Sequence, residues 1–111
     1  MRFSDPAAII QSRSLVMVNE GVDAYLECQA TGNPLTKTTV SWHREGFDMD
    51  TRTEQTFGVG VAYLTVREVN RVDTGAFECI ADNGIGQPTI QKTWLVVKCT
   101  LQHFFTQIMI T

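Results

Sequence analysis

Cysteine is the residue type with the widest chemistry in this 111-residue sequence, which contains three: Cys28, Cys79 and Cys99. A thiol can act as a nucleophile, bind a metal ion or form a disulfide. The glutamate that precedes Cys79 argues against a nucleophile, because a neighbouring carboxylate disfavours the reactive thiolate. The sequence has no CxxC pair, and neither His43 nor His103 lies at a spacing typical of zinc ligands. Structural roles therefore remain for the cysteines.

The rest of the sequence contains no catalytic constellation. There is no grouping of Ser, His and Asp, no phosphate-binding glycine loop and no paired-carboxylate site. The net charge is −3 and the nine Lys and Arg residues are scattered, so the chain offers no basic patch to nucleic acid. We therefore expect a non-enzymatic protein without a cofactor or metal, which binds neither nucleic acid nor a small-molecule substrate. A protein partner is the remaining expectation.

Short apolar runs, most of them alternating with polar residues, indicate the elements that position these side chains. They are typical of strands with one buried face and comprise Leu15–Val18, Ala24–Cys28, Val40–His43, Ala62–Arg67, Phe77–Asp82 and Thr93–Val97. Turn-forming residues separate the runs, at 19–21, 32–34, 45–46, 58–60, 73–75 and 83–84. Many short strands with regular turns predict an all-β sandwich or barrel.

Several fragments, taken in order, resemble one family. Trp42 lies between Cys28 and Cys79, which is the order of the immunoglobulin framework. Residues 40–46 (VSWHREG) resemble V-x-W-x-K/R-x-G, residues 73–79 (DTGAFEC) resemble D-x-G-x-Y-x-C, and residues 81–86 (ADNGIG) resemble A-x-N-x-x-G. Residues 8–98 therefore resemble the immunoglobulin superfamily and, within it, the I-set. The combination looks most like modules of adhesion receptors of the echinoid, nephrin and hemicentin kinds.

The resemblance implies an immunoglobulin-like two-sheet antiparallel Greek-key sandwich over residues 1–98. It also implies a Cys28–Cys79 disulfide between the sheets, with buried free thiols in a reducing compartment as the alternative. The implied core residues are Trp42, Leu26, Leu64 and Phe77. The implied ion pair joins Asp73 to a basic residue before strand D, for which we predict Arg52; the alternative is a solvated arginine.

Two features depart from the family pattern. Phe77 stands where the family usually has Tyr, so we expect the corner that leads into the strand of Cys79 to lack a hydrogen bond worth about 1 kcal/mol. On that expectation, Phe77→Tyr raises the melting temperature. Residues 99–111 contain no charged residue and are interpreted as a non-domain tail, from truncation or mis-splicing, with a short extra strand as the alternative.

The resemblance also implies function. We expect one extracellular adhesion or recognition domain of a longer cell-surface protein, although Asp5 and Pro6 interrupt any signal-like apolar stretch at the start. Residues that alternate with the core set should face outward on the strands that contain Trp42, Cys79 and Leu95, and we predict an interface from His43, Ile80, Ile90 and Trp94. The alternatives are an intracellular structural module of the titin type and an ectodomain module of a receptor kinase or phosphatase.

Overall fold

Alternating burial along the chain defines the strands in the computed structural model, which describes residues 4–99. In β3, for example, Ala24, Leu26, Cys28 and Ala30 are buried while the residues between them are exposed, because successive side chains of a strand point to opposite faces. The elements are β1 (Asp5–Ser12), β2 (Leu15–Asn19), β3 (Ala24–Asn33), β4 (Val40–His43), α1 (Met49–Arg52), β5 (Thr53–Gly58), β6 (Val61–Val66), a 3₁₀ turn (Arg71–Asp73), β7 (Gly75–Ala81) and β8 (Thr89–Lys98).

The strands form two four-stranded sheets. The first sheet has the order β1-β3-β6-β5 and the second has the order β2-β8-β7-β4. Their inner faces enclose one core, so the predicted two-sheet all-β sandwich is confirmed. The pairing differs from the wholly antiparallel expectation at one place, because β2 runs parallel to β8.

The parallel pair follows from the path of the chain between β1 and β2. β1 pairs antiparallel with β3 as far as Ser12, opposite Cys28. The chain then crosses to the other sheet without reversing direction. The crossing is fixed to β8, because the Thr93 hydroxyl donates to the carbonyl of Arg13 and the Trp94 amide donates to the carbonyl of Ser14 at 2.9 Å.

The core is built around the predicted disulfide. Cys28 and Cys79 are bonded across the two sheets with their Cα atoms 6.4 Å apart, which confirms the predicted pairing. Trp42 is buried against them, and its indole N–H donates to the carbonyl of Ala62 at 3.1 Å. The other predicted core residues, Leu26, Leu64 and Phe77, are also buried. Every buried side-chain nitrogen and oxygen in the described part of the chain has a hydrogen-bond partner.

A side-chain amide covers the outer edge of the second sheet. β4 is the last strand of that sheet, so the backbone of Trp42 has a free side. Gln55, on β5 of the other sheet, accepts from the Trp42 amide at 2.8 Å and donates to the Trp42 carbonyl at 3.2 Å. Its amide thus makes the two hydrogen bonds that another strand would make, and this edge is protected from pairing with a second chain.

One asparagine fixes three segments at one end of the sandwich. Asn83 Nδ2 donates to the carbonyls of Asp5 and Pro34, at 2.7 and 3.0 Å. Its Oδ1 accepts from the amides of Ala7 and Ile85, at 3.1 and 3.2 Å. The start of β1, the loop between β3 and β4, and the loop between β7 and β8 are therefore held together.

Of the predicted 99–111 tail, only Cys99 lies within the described residues, at the opposite end of the sandwich. It is half-buried, and Arg71 Nη1 lies 3.3 Å from its sulfur.

Candidate functional site: the outer face of the second sheet

The outer face is the set of second-sheet side chains that point away from the core. Along β8, Thr93, Leu95 and Val97 are buried, and the alternate residues face outward. The same alternation applies to the paired strands. The outer face comprises Leu15 and Met17 on β2, Ile90, Lys92, Trp94 and Val96 on β8, Ala76, Glu78 and Ile80 on β7, and Ser41 and His43 on β4.

The largest apolar group of the outer face surrounds Trp94. The register places Leu15 opposite Trp94 and Met17 opposite Val96 in the parallel pair, and Ala76 opposite Trp94 in the antiparallel pair. The residues are about half exposed: 52% for Trp94, 48% for Leu15 and 53% for Met17. We call Leu15, Met17, Trp94 and Val96 the Trp94 cluster. An exposed tryptophan beside aliphatic side chains is the usual composition of an interface hot spot.

A charged row separates the Trp94 cluster from a second apolar pair. Glu78 lies opposite His43 on one side and opposite Lys92 on the other. The next row holds Ile80 opposite Ile90. A shallow hollow of about 280 Å³ lies along the charged row, lined by His43, Arg44, Glu45, Ala76, Glu78 and Lys92. The face thus carries two apolar areas with charges of both signs between them.

The four residues predicted for an interface all lie on this face, but in three places, with His43 opposite Glu78. Ile80 and Ile90 are directly paired, while Trp94 lies beyond the charged row and next to β2. Whether they form an interface stays a prediction. Sequence reasoning missed Leu15 and Met17. Residues 15–18 form a continuous apolar run, which does not show which side chains face outward. The parallel pairing that brings β2 beside Trp94 also depends on a sheet change that no local pattern shows.

The structure brings Arg52 and Asp73 together at a different place, under the loop between β6 and β7. Arg52 donates to both carboxylate oxygens of Asp73, at 3.1 and 2.7 Å, and the amide of Asn70 donates at 2.9 Å. Burial alone would raise the pKa of Asp73, but these hydrogen bonds and the charges of Arg52 and Arg44 together lower it. This pair, with Asp73 buried and Arg52 partly exposed, fixes the loop between β6 and β7.

Nothing in the described residues points to catalysis. No group of three or more His, Cys, Asp or Glu side chains in residues 4–99 lies close enough together to hold a metal ion. In the same part of the chain, no helix has the length and apolar character needed to cross a membrane.

The sequence matches the family profile described as Immunoglobulin domain over residues 6–83. The chain belongs to this family. The match spans both disulfide cysteines, Trp42 and Asn83. The matched residues contain most of the observed core, and Leu95 and Val97 of β8 complete it.

Relatives of this immunoglobulin domain are much longer proteins. Hemicentin-2 of Mus musculus is 34% identical over 89 residues, which cover 78% of this chain and 2% of hemicentin-2. IgLON family member 5 of Homo sapiens is 31% identical over 93 residues, which cover 82% of this chain and 24% of that protein. Among solved structures, a chimeric titin Z1Z2 carrying a KLER peptide from decorin superimposes with a TM-score of 0.74 at 27% identity, covering 86% of this chain and 97% of the titin chain.

Proposed function

We propose that this immunoglobulin domain is a non-catalytic binding module, one extracellular domain of a cell-surface adhesion or recognition protein. It binds another protein through the outer face of the second sheet. The Trp94 cluster forms the centre of the contact, and the charged row of Glu78 and Lys92, with His43 beside it, forms its rim.

The exposure of Trp94 is the observation that carries this proposal. Burial of apolar surface is favourable by roughly 25 cal/mol for each Å². A large side chain that stays in water does not gain this free energy. Trp94 nevertheless remains 52% exposed, with Leu15 and Met17 exposed beside it. A partner that covers the cluster would recover that free energy, and the charges at the rim would orient it.

The disulfide supports the extracellular part of the proposal. Disulfides form and persist in oxidising compartments and are rare in the cytosol, and Cys28 and Cys79 are bonded here. The similarity to IgLON family member 5 and hemicentin-2 points in the same direction, as does the likeness of the sequence to adhesion receptors.

A site-specific photo-cross-linker tests the surface. We would place the photoreactive residue at Met17, in the Trp94 cluster, or at Thr56, on the outer face of the first sheet. Each protein is displayed on cells of the native tissue and irradiated. Cross-links from position 17 to a second protein or second copy, without cross-links from position 56, support the proposal. Equal yields from both positions would contradict it.

Truncation of the tryptophan provides the second test. Trp94→Ala should abolish the position-17 cross-link and leave the melting temperature within a few degrees of the parent. The matched control is Phe57→Ala, which removes another half-exposed aromatic from the first sheet and should leave the cross-link intact. A large loss of stability in Trp94→Ala alone would show that Trp94 serves packing instead of binding.

The similarity to titin supports one alternative, an intracellular structural spacer. The two functions differ in the state of Cys28 and Cys79. Mass spectrometry of the protein from its native source, with free thiols alkylated before reduction, decides between them. A bonded pair supports the adhesion module, and two alkylated thiols support the spacer.

A further inference from the structure

The first sheet has a short open edge where β1 leaves it. β1 covers the edge of β3 only as far as Ser12, which lies opposite Cys28. Beyond that point the chain crosses to β8 and is held there by the hydrogen bonds from Thr93 and Trp94. Within residues 4–99, no strand pairs with residues 24–27 of β3 on this side. The opening is therefore a fixed consequence of the crossing.

The backbone groups at this edge point outward into the opening. On the other side of β3, the ladder pairs Leu26 with Leu64 and Cys28 with Ala62, and the Ala30 amide donates to Gly60 at 2.8 Å. In a regular antiparallel ladder, alternate residues direct their N–H and C=O groups to the same neighbour. The even-numbered residues thus bond to β6. Tyr25 and Glu27 therefore present their N–H and C=O groups to the empty side.

The opening is a groove with room for a few residues of extended chain. It has a volume of about 290 Å³, and its lining includes Gln11, Arg13, Tyr25, Glu27, Tyr63 and Thr93. That is near the lower end of the roughly 300–1,000 Å³ typical of ligand pockets. Tyr25 and Tyr63 flank the groove and are 69% and 45% exposed. Aromatic walls beside a free strand edge suit a peptide better than a compact small molecule.

The groove also carries two charges of opposite sign. Arg13 and Glu27 are both exposed, and in the described part of the chain neither side chain has a salt-bridge or hydrogen-bond partner. A segment with one basic and one acidic residue would match them. The β4 edge differs from this one. There Gln55 makes both hydrogen bonds to the backbone of Trp42 and leaves no room for an added strand.

We propose that an extended segment of a partner protein adds to β3 as an extra strand beside Tyr25–Glu27. Its backbone bonds to the N–H and C=O groups of Tyr25 and Glu27. A basic side chain of the segment faces Glu27 and an acidic one faces Arg13. The site lies on the first sheet and is independent of the outer face of the second sheet.

Amide hydrogen exchange with a peptide probe tests the strand addition. The probe is acetyl-VKVEVTV-amide, an alternating sequence with Lys and Glu on one face, added to the full ¹⁵N-labelled chain. We expect slower exchange of the Tyr25 and Glu27 amides and no change at Trp94. A copy of the peptide with alternate amides N-methylated should not bind. The absence of protection at Tyr25 and Glu27 up to the solubility limit of the peptide would overturn the proposal.

Variants at the edge separate the backbone contribution from that of the side chain. Tyr25→Pro removes the outward N–H without removing a bond to β6, whereas Tyr25→Ala removes the ring and keeps the N–H. We expect the proline variant to bind the probe about fivefold more weakly than the alanine variant, as for one lost hydrogen bond. Equal affinities would overturn the proposal.

Should Tyr25→Pro fail to fold, Glu27→Lys serves instead. It should weaken binding of this probe and strengthen binding of acetyl-VEVEVTV-amide, in which Glu replaces the Lys that faces position 27, and unchanged affinity for both would again overturn the proposal.

Discussion

Arg44 lies over the ring of Phe77, with its guanidinium carbon 4.9 Å from the ring centroid. The same guanidinium donates to the carbonyls of Asp73 and Thr74, at 2.6 and 3.2 Å. It also lies 4.8 Å from the ring centroid of Phe47, and the two rings meet edge to face with their centroids 5.2 Å apart. Burial lowers the pKa of Arg44, and the charge of Asp73 opposes this lowering. The backbone at this corner thus receives hydrogen bonds from an arginine, although Phe77 has no hydroxyl.

Removal of Arg44 should change the stability of the domain more than Phe77→Tyr does. Arg44→Met keeps much of the side-chain volume but loses two charged hydrogen bonds and the stacking on two rings. We expect a loss of about 2 kcal/mol in the free energy of unfolding. Urea unfolding monitored by tryptophan fluorescence measures it. A loss below about 0.5 kcal/mol would show that water replaces the guanidinium without cost.

The same contact changes the expectation for Phe77→Tyr. The sequence suggested that an added hydroxyl would raise the melting temperature by supplying a missing hydrogen bond. The carbonyls of Asp73 and Thr74 already have a donor in Arg44, so we now expect little change in the parent. Phe77→Tyr should stabilise only when combined with Arg44→Met. A double-mutant cycle by thermal unfolding checks this coupling, and a rise in the single variant would argue against it.

Asp73 should make stability depend on pH in the acid range. Its pKa is lowered on folding, so the stabilisation is complete above the unfolded value of about 3.9 and is lost as the pH falls below it. Asp73→Asn should therefore cost about 2–3 kcal/mol at pH 7 and progressively less below about pH 4. The exposed Asp50→Asn is the control and should follow the parent. A gap between parent and Asp73→Asn that stays constant from pH 7 to pH 2 would refute the assignment.

Loss of the disulfide should cost more than any single hydrogen bond. The bond joins residues 51 positions apart, for which the chain-entropy relation gives about 4 kcal/mol. We expect the double variant Cys28→Ala/Cys79→Ala to lose about that amount in urea unfolding. Cys99→Ser leaves the disulfide intact and should unfold close to the parent. If the double variant retained nearly full stability, the core would not depend on the bond.

Gln55→Ala should expose the β4 edge. It leaves the amide and carbonyl of Trp42 without the partners that Gln55 supplies, and we expect a loss of about 1–2 kcal/mol. Hydrogen exchange at the Trp42 amide should accelerate. Gln29→Ala, at an exposed position of β3, is the matched control and should change neither quantity. Unchanged exchange at Trp42 would mean that β4 is protected in another way.

The sequence was informative where side-chain chemistry has a fixed period or spacing. The alternation around Leu26, Leu64 and Cys79 predicted strands and their buried faces, and the order Cys28, Trp42, Cys79 predicted the disulfide and sandwich. β1 was missed because its pairing shifts twice, between Asp5 and Ala8 and between Ile9 and Gln11, so its residues show no clean alternation.

Contacts between residues far apart in the sequence were not predictable in this way. The pairing of Gln55 with Trp42 and the stacking of Arg44 on Phe77 depend on how loops bring separate strands together. The parallel register of β2 and β8 depends on the crossing after Ser12. These contacts decide which residues accompany Trp94 on the outer face and where β3 is left open.

The four hydrogen bonds of Asn83 have a consequence for the order of folding. Its partners Asp5, Ala7 and Pro34 are 78, 76 and 49 positions away, so closing these contacts requires nearly the whole chain to be assembled. They should therefore form after the rate-limiting transition state of folding. Their loss should then affect mainly the unfolding rate. Asn83→Ala should accelerate unfolding several-fold while refolding hardly slows, as a chevron plot would show. This one side chain would then govern the lifetime of the native state more than the speed at which it is reached.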